Sequence, residues 1–386
     1  MSRSVTARPQ PPLVLHVIHH LVTGGMENGL VNLINHMPAS AYRHAVVCIE
    51  DYSDFRDRIR TPGVEVVALH RSRIGLWSLR RQLFSTIRRL APAIVHSRNL
   101  SGLDALLPAR LAGVRRTVHG EHGWDVDNLR GERWKPILLR RLHAPLVSRY
   151  VTVSADLKRF LIDRVGIPPT RVMQICNGVD TVRFAPPSGD RDSALPPDFR
   201  GQDLLRIGTV GRAQPVKDQA TLLHAFAAVL GRRPWLRPRL RLMIIGGGPL
   251  LEVLRALAAT LGIADQCWLP GPMTDMPAVL QGLDIFVLTS LNEGISNTLL
   301  EAMATGLPVL ATAVGGNQEL VLPERVGQLF APGDVAALAG LLDRLVDDSG
   351  LRQRWAAQAR DHAVAQHGLG QMIEAYRKVY DELLQS

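Results

Sequence analysis

Two glutamates bracket the stretch EGISNTLLEAM: Glu293 opens it beside a glycine, and Glu301 lies inside an apolar run of helical spacing. A carboxylate in such company needs a partner or a task. Carboxylates that accept hydrogen bonds from vicinal hydroxyls suit a ribose or a sugar. Between the two, Gly294, Ile295, Ser296 and Asn297 form a turn at a helix start, with Ser296 and Asn297 as caps. Free N–H groups at such a turn bind phosphate oxygens. A second set is Arg212 and Lys217 in VGRAQPVKDQ. Two cations just beyond a strand can clamp a diphosphate where a metal would otherwise be needed. Glycine-rich turns follow other strands, at Gly24–Gly25 and at Gly246, Gly247 and Gly248. They allow a backbone to approach an anion closely and serve equally well as plain tight turns. Neither completes a dinucleotide fingerprint, and no Walker Lys-Ser/Thr follows. His96, His119 and His122 end strands in AIVHS and TVHGEHG, the edge where α/β sheets bind ligands. A satisfied structural role is the common alternative for a histidine so placed. The HGEHG spacing is not that of a zinc helix, and no Ser-His-Asp elbow appears.

These residues need elements to position them. Short β-branched runs alternate with helical patterns: LVLHVIHH, HAVVCIE, VEVVAL, AIVHS, RRTVHGEH, RYVTVS and VMQICNG in the first half. Helical spacing runs through Met26–Met37, Leu76–Leu90 and Gly102–Leu111. The alternation implies a parallel sheet with helices on both faces. Phe184–Asp203 has no period, is rich in Pro, Gly, Asp and Ser, and reads as a linker. The alternation then resumes with LRIGTVG, LRLMIIGGG, QCWLPG, DIFVLTS, LPVLATA and GQLFAP. The expected domains are residues 1–188, 189–365, and a C-terminal helical segment 366–386. The run Leu351–Leu384 is helical by period and ends in a stripe of Met372, Ile373, Tyr376, Val379, Tyr380, Leu383 and Leu384. Two open α/β domains suggest a ligand beyond the carboxyl ends of their strands.

Composition narrows the classes. The chain has 386 residues, 46% of them hydrophobic, and no apolar run of spanning length. The polar, proline-rich start MSRSVTARPQPP reads as a loose tail rather than a signal peptide, so a cytoplasmic protein is expected. Cys48, Cys176 and Cys267 are far apart and read as reduced, buried thiols. The net charge of +10 is uneven: residues 1–189 hold 27 Lys and Arg against 14 Asp and Glu. A basic half suits nucleic acid, an anionic membrane or a phosphorylated ligand. With aromatic residues at only 5% and no RNA-module motif, nucleic acid is disfavoured.

The segments GGMEN, VTVSADLKRFL, NGVDTVRFAP, VGRAQPVKDQATLLHAFA, IIGGGP and the Glu-x7-Glu stretch occur in an order that resembles retaining glycosyltransferase family 4, over nearly the whole chain. HGEHGWD and the first strand–helix unit look closest to sugar transferases encoded with bacterial exopolysaccharide and PEP-CTERM sorting systems.

The resemblance implies an α/β GT-B fold of two Rossmann-like domains. It implies a nucleotide-diphosphate sugar as donor substrate, no other cofactor, and no required metal. Arg212 and Lys217 would meet the donor diphosphate, Glu301 the ribose, and Glu293 the donor sugar, with Gly247 and the Gly294–Asn297 backbone beside them. Gly25 would line the opposite side, and His122, in preference to His119, would bond the sugar. The family commonly places Phe where this chain has Ile295, which bears on donor choice. The acceptor would be a glycan or polyprenyl-diphosphate-linked, in exopolysaccharide biosynthesis. The interleaved Arg and apolar residues of LWSLRRQLFSTIRRL and RGERWKPILLRRL would suit the inner face of an anionic membrane, against the alternative of ordinary amphipathic helices. A non-catalytic nucleotide-sugar or nucleic-acid binder, and a GT-B epimerase, are the competing classes.

Overall fold

A computed structural model describes residues 10–124 and 131–385. The tail reading for residues 1–9 lies outside them. The chain divides into two compact units, Met1–Ile175 with Met372–Ser386, and Cys176–Gln371. Residues 176–188, assigned to the first domain from sequence, therefore belong to the second unit.

The first unit holds a seven-stranded parallel sheet: β1 (Leu13–Ile18), β2 (Arg43–Cys48), β3 (Glu65–Ala68), β4 (Ile94–Arg98), β5 (Thr117–Glu121), β6 (Arg149–Thr152) and β7 (Val172–Gln174). Their spatial order is β3-β2-β1-β4-β5-β6-β7. Chain direction reverses its sideways progress between β1 and β4, where His16 pairs with His96. The inner strands β1, β4 and β5 are buried on both faces, as parallel strands covered by helices must be. The helix Leu76–Leu90 turns Leu79, Leu83 and Ile87 inward, and together they extend the core of Leu15, Val17, Val47 and Val95. Each such buried side chain contributes about 1.5–3 kcal/mol.

The second unit repeats the plan with six strands: β8 (Leu205–Val210), β9 (Leu240–Ile245), β10 (Cys267–Gly271), β11 (Ile285–Leu288), β12 (Val309–Thr312) and β13 (Gly327–Phe330). Their order is β10-β9-β8-β11-β12-β13, so the switch point lies between β8 and β11. The helix Gln219–Arg232 buries Leu222, Leu223, Phe226, Val229 and Leu230 against this sheet.

Three sequence expectations change. The stretch Phe184–Asp203 is not a free linker. Leu195 and Phe199 are buried, Arg206 of β8 donates to Phe199 O at 2.6 Å and to Gly201 O at 2.7 Å, and Arg191 bonds Asp284 at 2.8 Å. Irregular backbone is held here by arginines rather than by a ladder. The expected helical run Leu351–Leu384 breaks in two at Gly368. There the extended backbone forms a β-bridge to Val179, with Val179 N to His367 O at 2.8 Å. Cys48 is buried as expected, whereas Cys176 and Cys267 are part-exposed.

Candidate active site

In the second unit, the loops that follow β8 and β11 lie at the switch point and carry most of the predicted residues. After β8, Lys217 closes a short 3-10 turn, and Asp218 adopts a left-handed conformation, φ 43°. That turn is anchored: Leu291 N bonds Val216 O at 2.8 Å, and Thr289 Oγ1 donates to Lys217 O at 2.9 Å. The ammonium of Lys217 donates to Glu293 Oε1. Ser290 donates to the same oxygen at 2.6 Å. The two strand-end loops are thus joined through one carboxylate. Arg212 is exposed, and its guanidinium bonds none of the described residues.

The helix Asn297–Ala304 starts on a real cap: Ser296 Oγ accepts from Leu299 N at 3.3 Å. Asn177 fixes the first residue, donating to Asn297 Oδ1 at 2.8 Å. Glu301 stands half-buried on the same helix. Gly294, Ile295 and Ser296 are buried, and their N–H groups donate to no acceptor among the described residues. Buried backbone donors are almost always satisfied, so three in a row ask for a ligand acceptor.

Sequence reading missed what holds this turn. Gly315 and Gly316, after β12, pack directly on it. A Cβ on Gly315, at φ 45°, would collide with the Glu293 carbonyl, and one on Gly316 with the Gly294 carbonyl and Ile295 Cδ1. Gly316 N donates to Gly294 O at 3.0 Å. The side chain at the family's usual Phe position, Ile295, therefore packs on Gly316. The repeated Gly-Gly after a strand, ATAVGGNQ, was the available signal.

The other glycine loop behaves differently. Gly246 (φ 139°) and Gly248 (φ 146°) sit where a Cβ would strike the backbone of Gly211 and Ala213. Ala213 N bonds Gly247 O at 2.8 Å. The close approach made by these glycines is thus to the loop bearing Arg212. In the first unit, Gly25 is exposed and opens the helix Gly25–His36, and the Glu27 carboxylate lies against Gly24.

The histidines separate cleanly. His119 is fully buried, with Ser97 Oγ at 2.8 Å from Nδ1 and Glu121 Oε1 at 3.3 Å from Nε2. Both nitrogens are engaged, so the expectation that His119 meets a donor is dropped. Glu121 is in turn clasped by Arg140, at 2.6 and 3.0 Å. Burial opposes its charge, and Arg140 with His119 outweighs that, holding the carboxyl well below its usual range. His122 is half-buried just beyond β5. Its N–H bonds Asn99 Oδ1 at 2.8 Å, and its Nε2 has no partner among the described residues. Burial, then Arg98, push its pKa down to about 3, so the ring is neutral at physiological pH.

A model described as "Glycosyltransferase Family 4" matches residues 23–183, and one described as "Glycosyl transferases group 1" matches residues 198–362. A D-inositol 3-phosphate glycosyltransferase of Frankia alni is 37% identical over 281 residues, 69% of this chain and 68% of that protein. The UDP-Gal:alpha-D-GlcNAc-diphosphoundecaprenol alpha-1,3-galactosyltransferase of Escherichia coli is 27% identical over 346 residues, 87% and 88% of the two chains. The chain spans about half the length of several other curated D-inositol 3-phosphate glycosyltransferases that it matches. Among solved structures, Anabaena HepE, crystallised with UDP and glucose, superimposes with a TM-score of 0.83 at 19% identity, over 96% of this chain and 100% of that one.

Proposed function

The chain belongs to glycosyltransferase family 4, with the GT-B fold, and we propose that it moves a sugar, with retention of configuration, from a nucleoside diphosphate to a glycan or polyprenyl-linked acceptor in exopolysaccharide assembly. The observation that carries this reading is the turn Gly294–Ser296. Its three unpaired N–H groups lie beside a carboxylate already shared by Lys217 and Ser290.

The chemistry follows from charge. Breaking the sugar–phosphate bond builds negative charge on the diphosphate and positive charge on the ring. Arg212 and Lys217 balance the first. An ammonium has three donors, so Lys217 can keep Glu293 while taking a phosphate oxygen. Glu293 and the Gly294–Asn297 backbone receive the donor sugar and its phosphates, Glu301 the ribose hydroxyls, and Gly247 the neighbouring backbone. This scheme asks for no metal and no further cofactor. UDP in the HepE structure supports a uridine donor.

Equilibrium binding of a nucleotide-sugar panel, with EDTA present, tests the donor site. One donor should bind, and Glu301→Gln and Lys217→Ala should each weaken it about tenfold or more, the loss of a charged hydrogen bond. Binding of no donor by the folded protein would overturn the reading.

The membrane part of the proposal rests on the helix Trp134–His143. It faces Ile137 and Arg140 inward and exposes Trp134, Leu138 and Leu142, at 66%, 44% and 66%. That inverted polarity suits an interface, where Trp and Leu insert and each nearby cation adds about 1 kcal/mol. By contrast, Leu76–Leu90 packs Leu79, Leu83 and Ile87 on the core, exposes Leu76 and Trp77 in its first turn, and pairs Arg89 with Glu65. Among the described residues no helix is long and apolar enough to cross a membrane.

A further inference from the structure

The switch point of the first sheet carries a cation that no acid among the described residues balances. Arg98 ends β4, is 2% exposed, and has only tyrosines, Tyr380 and Tyr376, as favourable electrostatic company. The acid on the adjacent strand, Glu121, is already taken by Arg140. A buried charge without a counter-ion costs several kcal/mol.

The hydrogen bonds around it fix which ring atoms of His16 and His44 are donors. Arg98 Nη1 donates to His16 Nδ1 at 3.0 Å, so the His16 proton is on Nε2, which donates to His44 Nδ1 at 2.9 Å. His44 is then left with an Nε2–H, and that atom has no partner among the described residues. The Tyr380 hydroxyl lies 2.7 Å from His96 Nδ1. His96 Nε2, Arg98 Nε and His122 Nε2 are also without a partner among the described residues. His96 Nε2 and His122 Nε2 meet over Gly120, where a Cβ would stand 3.3 and 2.5 Å from them. Asn99, next to Arg98, holds a left-handed φ of 51° while its side chain receives His122 N, the kind of strain kept at ligand sites.

We propose that Arg98, with His96 and His122, is the seat of an oxyanion: a phosphoryl group carried by the acceptor. A fixed cation with an unpaired Nε–H, beside two unpartnered ring nitrogens, fits a phosphate better than a cation or an apolar group. The site lies where open α/β sheets bind ligands. The anion site stands on this geometry alone, whereas its assignment to the acceptor rests on the transferase reading above.

Long-range 1H–15N spectra of the histidine rings in the full chain test the site, with inorganic phosphate as the probe. Millimolar phosphate should move the His96 and His122 signals in the parent and in Lys217→Ala, and leave them in place in Arg98→Met. Unmoved signals in the parent, or equal shifts in Arg98→Met, would overturn the proposal. In phosphate-free buffer Arg98→Met should melt no lower than the parent, because an unmatched buried charge is gone. A fall in Tm would assign Arg98 a structural role instead. If that variant does not fold, Arg98→Lys, which keeps the charge and loses Nε, takes its place. With transfer established, KM should rise about tenfold in the variant for a water-soluble sugar phosphate and for a short-chain polyprenyl diphosphate sugar alike, with donor affinity unchanged. A rise for only one identifies the source, and a rise for neither removes the acceptor assignment. Loss of donor binding in the parent, with the histidine shifts retained, would sink the transferase reading alone.

Discussion

Lys217, from the loop after β8, donates its ammonium proton to Oε1 of Glu293, from the loop after β11, and Ser290 bonds the same oxygen at 2.6 Å. One carboxylate oxygen therefore holds two strand ends in register at the switch point. Glu293→Gln keeps the shape and removes the charge that orients Lys217. We expect turnover to fall at least tenfold, with little change in Tm because the pair is part-exposed. Steady-state kinetics beside a thermal melt check both halves.

Arg140 and Glu121 are 3% and 1% exposed and joined by two short bonds. Arg140→Met leaves a buried carboxylate to His119 alone. Breaking a buried pair from one side costs about 3–5 kcal/mol. Urea denaturation should show that loss, and Glu121→Gln combined with Arg140→Met should recover part of it.

Acid should unfold the first unit early. His44 is pushed down to about 4 and His122 to about 3, chiefly by burial and then by Arg98. The unfolded chain binds protons near pH 6.5 that the fold refuses, so stability is full above about 6.5 and falls as pH drops toward 4, by up to about 1.4 kcal/mol per pH unit for each such ring. Glu121, whose pKa is lowered, adds a loss only below the ordinary carboxyl range. Urea midpoints between pH 8 and pH 4 give the slope. A flat profile down to pH 5 would contradict neutral, buried rings.

Gly315 has no room for a methyl group. Its φ is 45°, and a Cβ would run into the Glu293 carbonyl. Gly315→Ala should cost about 1–3 kcal/mol and displace the Gly294–Ser296 turn. Donor affinity should therefore fall in this variant while Gly333→Ala, also at positive φ but with open space around it, keeps it. Equal affinities in the two variants would remove Gly315 from the site.

For the liposome question the variant of choice is Trp134→Ser with Leu138→Ser and Leu142→Ser, since these side chains are already in solvent and the fold should not change. Flotation with vesicles containing anionic lipid should lose the triple variant and retain the parent. A parent that stays at the bottom of the gradient ends the membrane proposal.

The sequence alone determined the strands of both sheets and the places where loops follow them. The inner strands are short apolar runs buried on both faces, and that pattern is local. The Glu-x7-Glu stretch and the Arg212/Lys217 pair were legible for the same reason: a strand end followed by a helix start is written in adjacent residues. Only the tertiary structure decided which partner each polar group takes. His119 and His122 look alike in HGEHG, yet one is consumed by Ser97 and Glu121 and the other is left open. The bond from His96 to Tyr380 joins residues 284 positions apart, and that from Asn177 to Asn297 joins residues 120 apart. The loop around Phe184–Asp203 looked loose because Pro and Gly remove periodicity, but Arg206 reaches it from a strand. Hydrophobic period is a property of neighbours in the chain. Charge balance and hydrogen-bond satisfaction are settled between segments that meet only when the chain has folded.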